Sequence, residues 1–324
     1  MSQVFFDELG IPTPAYNLHV GSGSHGKQTG LMTERIEEVC QRELPDVVVV
    51  YGDTNSTLAG ALAAVKLHIP VVHVEAGLRS YNRRMPEEIN RVLTDHVASL
   101  LICPTQLAVD QLAKEGITDN VSLVGDVMYD AAIDFSRVAG EHVDPLGDLA
   151  LTPHRYILLT CHRAENTDDP LRLSAIFSAV NRIARQTKVL FPVHPRVKSK
   201  VAAQTFHQNV QVVEPLSYLE MLLVEQNASL VLTDSGGMQK EAFFFGVPCV
   251  TMRDETEWAE TVQVGANSLV EADADRIHES VVNRLNRPPL IPSAAPFYGH
   301  GCASSQTASL IQALGHGSII RKAA

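Results

Sequence analysis

Apolar residues in this chain recur in short runs that end at turn-forming residues, and the runs fall into two groups. Runs of this kind are typical of strands that are buried on both faces of a parallel sheet. The first group comprises 47–51, 71–74, 100–103 and 121–124, and the second comprises 156–160, 189–193, 210–213, 228–232 and 247–252. Helical spacing of apolar residues between the runs then predicts an α/β fold with two parallel sheets.

The helical segments and the polar stretches define a domain plan. Helices are predicted over 55–66, 87–98, 171–186, 218–226, 238–245 and 304–314. A chain of 324 residues is long enough for two domains. The polar stretch 140–153 is the expected linker. We therefore predict a first domain over 1–140, joined by a C-terminal helix at 303–324, and a second domain over 150–300.

Composition excludes several classes of function. A formal net charge of -11 disfavours nucleic acid as a partner, and the longest basic runs are pairs such as Arg83-Arg84. No apolar run reaches the ~18 residues that cross a membrane, and the start lacks the pattern of a signal peptide. Five cysteines without a Cys-x-x-Cys pair predict reduced thiols and a cytoplasmic location.

The turn Ser235-Gly236-Gly237 is the strongest candidate for a ligand site. It follows the strand at 228–232 and opens a helix, so its free N–H groups and the helix dipole attract an anion such as a diphosphate. Glu241, one turn later, is placed to accept hydrogen bonds from ribose hydroxyls. The alternative is an ordinary strand-to-helix turn with two glycines.

Three acids follow strands or begin a helix of the first domain, and we expect them to converge: Asp53, Glu75 and Glu87. Ligands of open parallel sheets bind beyond the carboxyl ends of the strands, and carboxylates crowded there suit acid–base catalysis. Each also has a structural interpretation. Asp53 could cap a helix, Glu87 could be a first-turn acid, and Glu75 could pair with Arg79.

His162 and Arg163 follow the first strand of the second domain. A histidine there can donate to a departing phosphate, and an arginine can neutralise its charge. The 13 histidines show no spacing typical of a metal site, and no Gly-x-Gly-x-x-Gly motif follows a strand. Neither a metal nor a dinucleotide cofactor is indicated.

The motifs together resemble the non-hydrolysing UDP-N-acetylglucosamine 2-epimerases. The matching stretches are Val-Tyr-Gly-Asp-Thr at 50–54, His-Val-Glu-Ala-Gly-Leu-Arg at 73–79, Pro-Glu-Glu-Ile-Asn-Arg at 86–91, Leu-Thr-Asp-Ser-Gly-Gly at 232–237 and Met-Arg-Asp-Glu-Thr-Glu at 252–257. Other stretches, such as His-Arg-Ala-Glu-Asn-Thr-Asp-Asp at 162–169, are similar to the branch that acts on UDP-2,3-diacetamido-2,3-dideoxyglucuronate.

The resemblance implies two Rossmann-like domains of the glycosyltransferase-B type with a UDP-sugar in the cleft between them, and no metal or redox cofactor. By motif it implies catalytic roles for Asp53, Glu75, Glu87 and His162, and substrate binding by Arg163, Ser235, Gly236, Gly237, Glu241 and Arg253. The expected activity is epimerisation at C2 by elimination and re-addition of UDP, in the synthesis of polysaccharide precursors. We also expect a homodimer.

Three alternatives stay open at this point. The substrate could be UDP-2,3-diacetamido-2,3-dideoxyglucuronate, the protein could be a glycosyltransferase of the same fold, or it could bind UDP-sugars without turnover. The chain also departs from the family. Trp258 stands where many members have arginine, and the family's opening Gly-Thr/Ala-Arg-Pro motif is absent. We therefore expect the first sheet to be incomplete, with an open edge at 47–51 or its neighbour.

Overall fold

The computed structural model describes Phe6 and residues 8–315. Helices and strands alternate along most of this length. In chain order they are α1 His25–Glu43, β1 Val48–Tyr51, α2 Asn55–Lys66, β2 Val71–Val74, α3 Pro86–Val97, β3 Leu100–Cys103, α4 Gln106–Lys114, β4 Val121–Leu123, α5 Val127–His142, α6 Pro145–Asp148, β5 Tyr156–Thr160, α7 Ala164–Thr167, α8 Pro170–Ile183, β6 Lys188–Pro192, α9 Lys198–Ala202, β7 Val210–Val213, α10 Tyr218–Gln226, β8 Leu230–Thr233, α11 Gly236–Phe244, β9 Cys249–Thr251, α12 Ala259–Gln263, β10 Asn267–Leu269, α13 Ala274–Asn286, α14 Ala295–Tyr298 and α15 Ala303–Gly315.

The chain forms two compact units. The first unit is Thr13–Asp130 together with the described residues from Ala295 onward, and the second unit is Ala131–Ala294 together with the described residues before Thr13. The chain passes between units inside α5, whereas the polar composition predicts a linker at 140–153. That stretch contains the end of α5 and all of α6. Polar composition misled the prediction because a helix can be solvated along most of its length.

The first unit contains a parallel sheet in the order β1-β2-β3-β4. All residues of β2 and β3 are buried, as unbroken apolar runs require. One face packs against α15, where Leu314 is 2% exposed, and the other against α2, where Ala61 and Ala64 are fully buried. Among the described residues, no strand pairs with the outer edge of β1.

The second unit contains a six-stranded parallel sheet in the order β10-β9-β8-β5-β6-β7. The central strand β5 is buried throughout, and helices α8 and α13 contribute to the core on one face. Local sequence fixes the helix starts. Ser217 and Glu220 form a reciprocal capping box at α10, and Asp169 accepts from the first N–H groups of α8.

The predicted elements did not include strand β10 or helices α1, α4, α5, α6, α7, α9, α12, α13 and α14. Strand β10 reads Asn-Ser-Leu, and α13 buries only Ile277 and Val281, so neither presents an apolar run. In the part of the chain that the structure describes, no helix is both long and apolar enough to cross a lipid bilayer.

Candidate functional site

The first unit gathers carboxylates beyond the carboxyl ends of β1 and β2. Asp53 and Glu75 follow these two strands, which are parallel neighbours with Tyr51 opposite Val74. Glu75 Oε2 lies 3.8 Å from the position that a Cβ on Gly52 would take. The structure therefore brings the first two predicted acids to neighbouring positions on one edge of the sheet.

Glu75 has a strained backbone. Its φ of 72° lies in the left-handed region, which non-glycine residues rarely adopt and which costs about 1–3 kcal/mol. The next residues hold it there, since the Ala76 N–H donates to Ile102 O at 3.0 Å and the Gly77 N–H to Asp95 Oδ2 at 3.2 Å. Strain of this kind concentrates at functional sites, which favours a functional role for this carboxylate.

Helix α3 fixes the position of Asp53. Arg91 Nη2 donates to Asp53 Oδ2 at 2.6 Å, and Asn90 Nδ2 donates to the Asp53 carbonyl at 2.9 Å. The capping interpretation does not hold, because the N-cap of α2 is Thr54 and that cap has no side-chain hydrogen bond. The Asp53 side chain stays 31% exposed, so its carboxylate is both oriented and accessible.

Two adjacent glutamates in the first turn of α3, Glu87 and Glu88, differ in their burial and in their hydrogen bonds. Glu88 is 2% exposed and accepts from the Ser80 N–H at 2.9 Å and from Arg91 Nη1 at 2.9 Å. Glu87 is half-buried, and its side chain makes no hydrogen bond or ion pair with any described residue. Residues three and four positions apart share a helix face, so Glu87 lies on the face of Asn90 and Arg91. That face binds the Asp53 segment.

A buried network lies under these acids. His73 Nδ1 lies 2.6 Å from Asp95 Oδ1, and His73 Nε2 lies 2.8 Å from the Gly52 carbonyl. Arg79 binds Asp95 through Nη1 at 2.7 Å and binds Glu115 through Nε at 2.7 Å. The hydrogen bond from Arg79 lowers the pKa of Glu115. The guanidinium of Arg79 therefore organises this network.

The second unit contains the predicted anion cradle. Strand β8 ends at Thr233, and Ser235 is the N-cap of α11 in an extended conformation with no side-chain capping bond. The Ser235 N–H donates to Thr233 Oγ1 at 2.9 Å, which shapes the turn. The N–H groups of Gly236 and Gly237 in the first turn have no acceptor inside the helix. The strand, turn and helix lie as the sequence predicts.

Three donor groups converge above Gly236. A Cβ built on this glycine would lie 3.6 Å from Arg163 Nη2, 3.7 Å from Trp258 Nε1 and 3.9 Å from Arg253 Nη1. The Arg163 side chain makes no hydrogen bond or ion pair with any described residue. An anion in this space would meet two guanidinium groups, an indole N–H and a helix N-terminus.

Buried Asp234 positions the cradle. It is fully buried and accepts from the His162 N–H at 3.0 Å, the Arg163 N–H at 3.0 Å and Asn166 Nδ2 at 3.2 Å. One carboxylate therefore ties the segment after β5 to the turn after β8. Arg163 is held beside Gly236 by this contact to its own backbone.

His162 lies in the same cluster. Its Nδ1 is 3.6 Å from Asp234 Oδ1, and its ring centroid is 5.1 Å from that of His194. Burial lowers the pKa of His162, although Asp234 opposes the shift. The neutral ring, with one N–H to donate, therefore predominates at pH 7.

Glu241 lies in α11 and is 7% exposed. The Tyr218 hydroxyl lies 3.4 Å from its Oε1. Behind it, Glu225 is fully buried with no hydrogen-bond partner for either carboxylate oxygen, and burial raises the pKa of Glu225 well above its usual value. Burial therefore disfavours the charged form of Glu225.

Metal ligands do not cluster in the described part of the chain. Residues 6 and 8–315 contain no group of three or more His, Cys, Asp or Glu side chains that could hold a metal ion.

Sequence comparison decides the family. A profile described as UDP-N-acetylglucosamine 2-epimerase matches residues 1–312. The chain belongs to this family. The predicted membership is confirmed, and with it the class of enzyme, because epimerases are isomerases.

Two relatives of this epimerase family illustrate the match. A UDP-2,3-diacetamido-2,3-dideoxy-D-glucuronate 2-epimerase from Pseudomonas aeruginosa is 51% identical over 318 residues, which cover 97% of this chain and 88% of the relative. A UDP-N-acetylglucosamine 2-epimerase from Methanocaldococcus jannaschii is 47% identical over 298 residues, which cover 89% of this chain and 81% of the relative.

Solved structures of epimerases share the fold. That of the Methanocaldococcus jannaschii UDP-GlcNAc 2-epimerase in complex with UDP-GlcNAc and UDP matches with a TM-score of 0.89 and 43% identity, covering 96% of this chain and 88% of that one. The structure of the Neisseria meningitidis enzyme bound to UDP-GlcNAc matches with a TM-score of 0.88 and 29% identity, covering 96% of this chain and 88% of that one. The predicted α/β fold class is confirmed.

Several residues of the candidate site were given no role from the sequence. Arg91 lies inside the quoted Pro-Glu-Glu-Ile-Asn-Arg motif, and Asp234 lies inside Leu-Thr-Asp-Ser-Gly-Gly. A charged residue four positions after Glu87 was the available signal for Arg91. His73 and Trp258 were not assignable, because their roles depend on contacts between distant segments.

Proposed function

We propose that the protein inverts C2 of the N-acetylhexosamine in UDP-N-acetylglucosamine, with the second unit binding UDP and the first unit acting on the sugar. The observation that supports this proposal is that Asp53 and Glu75 follow neighbouring strands at one edge of the first sheet, and that Asp53 is bound by Asn90 and Arg91 of the helix that carries Glu87. Several acids in one region suit a reaction that removes a proton from one face of a carbon and returns it to the other.

The proposed reaction begins with cleavage of the bond between C1 and the phosphate oxygen. UDP leaves with the bonding electron pair, and positive charge at C1 acidifies the C2 hydrogen. A carboxylate takes that proton, which leaves 2-acetamidoglucal and UDP. Protonation at C2 from the opposite face and return of the UDP oxygen to C1 then give the epimer. Asp53, Glu75 and Glu87 share the proton transfers and stabilise the cationic sugar.

The second unit stabilises the departing diphosphate in this proposal. Arg163 supplies a positive charge that forms no ion pair with a described residue, and the N–H groups of Gly236 and Gly237 bind phosphate oxygens. Neutral His162 donates one hydrogen bond to the leaving group. Ser235 and Arg253 complete the phosphate contacts, and Glu241 accepts from ribose hydroxyls.

A second candidate substrate is UDP-2,3-diacetamido-2,3-dideoxyglucuronate. The 51% identity to the Pseudomonas aeruginosa protein that is named for this substrate favours it. The chemistry at C1 and C2 is the same, so the two candidates share every step and differ only in which sugar substituents the site accepts. The homodimer and the cytoplasmic location stay predictions.

Titration with UDP, followed by turnover on the same sample with each candidate substrate, tests the proposal. We expect UDP binding and formation of the C2 epimer from at least one substrate. Transfer of the sugar to an acceptor would indicate a glycosyltransferase, and binding without any product would indicate a UDP-sugar-binding protein. Either of these results contradicts the proposal.

A further inference from the structure

The three donors above Gly236 differ in how much of their charge is already compensated. Arg253 is 2% exposed and forms a two-point ion pair with Glu257, in which both N–O distances are 3.0 Å. Arg163 makes no ion pair with a described residue. Trp258 adds a neutral donor, whose N–H is directional but carries no net charge.

The ring of Trp258 is held rigidly. Its side chain is 4% exposed, and Lys240 Nζ lies 3.9 Å from the ring centroid in a cation–π contact. The residue's backbone is also fixed, since its N–H donates to Thr256 Oγ1 at 3.1 Å and its carbonyl accepts from Thr261 Oγ1 at 2.8 Å. The indole edge is therefore directed at the space above Gly236 before any ligand arrives, so binding there costs little ordering entropy.

We propose that Trp258 is a substrate-binding residue whose indole N–H donates a hydrogen bond to the diphosphate of the UDP-sugar. The inference rests on the proposed function, since it takes the diphosphate as the anion of the cradle. The residue supplies a donor beside Gly236 that carries no net charge. It binds the diphosphate without adding another cation beside Arg163 and Arg253.

Removal of the indole N–H should weaken the binding of ligands that contain a diphosphate. Hydrogen bonds to charged groups are strong enough that loss of one weakens binding about tenfold to a hundredfold. Trp258→Phe keeps an aromatic ring over Lys240 and removes the N–H. We therefore expect the Kd for UDP and for inorganic pyrophosphate to rise about tenfold or more, with KM for the UDP-sugar rising by a similar factor.

Trp258 is the single tryptophan of the chain, so its fluorescence reports on the cradle directly. In the wild-type protein, UDP and pyrophosphate should both change the emission, and the change should saturate at the calorimetric Kd. Trp258→Arg restores a donor at this position and should bind UDP more tightly than Trp258→Phe. Tighter UDP binding by Trp258→Arg would show that the weaker binding of Trp258→Phe comes from the lost donor and not from misfolding caused by loss of the tryptophan.

The outcomes separate this inference from the proposed function. If UDP binds without changing the emission, or if folded Trp258→Phe binds UDP as tightly as wild type, the indole contact does not exist. An unchanged KM in Trp258→Phe beside normal turnover also overturns the inference and leaves the proposed function intact. A weaker Kd in Trp258→Phe, in a protein that never forms an epimer, supports the inference and refutes the function.

Discussion

The carboxylate edge of the first unit and the cradle of the second unit treat charge in opposite ways. At the carboxylate edge, Arg91 binds both Asp53 and Glu88, so the acids are fixed by a partner that the protein itself provides. At the cradle, Arg163 has no ion-pair partner among the described residues. The first region holds Asp53 and Glu88 in place, and the second leaves the Arg163 cation for a ligand.

The backbone is strained in the first region and unstrained in the second. Glu75 has a φ of 72°, in the left-handed region, whereas Ser235 has ordinary extended angles of -82° and 132°. Anion binding needs only the regular N-terminus of a helix. Acid–base chemistry needs a carboxylate in one position, and the strain at Glu75 is consistent with that requirement.

Asp53→Asn should produce the largest effect. Asparagine can still accept from Arg91, so the fold and the UDP site should persist while the carboxylate is lost. We expect kcat to fall about 10²–10⁴-fold with the Kd for UDP nearly unchanged. Steady-state kinetics and calorimetry measure the two quantities. Normal turnover in this variant would remove Asp53 from the mechanism.

Glu87→Gln and Glu88→Gln form a matched pair that sharpens the comparison within one helix turn. Glu87 makes no hydrogen bond or ion pair with a described residue, so its amide variant should keep its Tm and lose about 10²-fold or more in kcat. Glu88 accepts from Ser80, Tyr81 and Arg91, so its variant should lower Tm. The assignment fails if the two variants exchange these effects.

Gly236→Ala probes the cradle. The nearest side-chain atom to the added Cβ would be 3.6 Å away, an ordinary contact, so Tm should not fall. The methyl group would occupy the space of the anion, and UDP should bind about tenfold to a hundredfold more weakly by calorimetry. Gly140→Ala in α5, where nothing lies within 4 Å, is the matched control and should bind UDP as wild type does. Unchanged affinity in Gly236→Ala would place the anion elsewhere.

Glu241→Gln should give the smallest effect. Glutamine keeps one acceptor oxygen for the ribose and loses the charge, so UDP binding should weaken by ~1 kcal/mol, about fivefold. The control is Glu225→Gln, because Glu225 is fully buried behind the site, where burial disfavours its charged form, and an amide has nearly the same shape. Calorimetry on both variants measures the difference. Equal losses of affinity would show that packing behind the site, and not the ribose contact, is responsible.

Much of the fold was predictable because buried parallel strands are continuous apolar runs. Strands β2 and β3 and helix α10 have the predicted bounds. By contrast, β10 was missed because its sequence is Asn-Ser-Leu, and its place is set by pairing with β9. Helix α1 buries only Cys40 completely, so its apolar pattern is weak.

The parts of the site that one short stretch of sequence determines were predictable. The parts that depend on contacts between distant segments were not. The cradle turn follows from one stretch of sequence. The support that Asp234 gives to Arg163 joins residues 71 positions apart, and no local pattern encodes it. Nor does sequence show that Glu87, and not Glu88, is the uncommitted acid, because the difference arises from the fold of the segment at Ser80 and Tyr81.

The most direct test of the account is turnover in heavy water, followed by mass spectrometry and proton NMR of the UDP-sugar. Elimination and re-addition move a proton through a carboxylate that exchanges with solvent, so the account predicts an epimer with deuterium at C2. An epimer that retains its original hydrogen at C2 would contradict proton transfer by the carboxylates of the first unit.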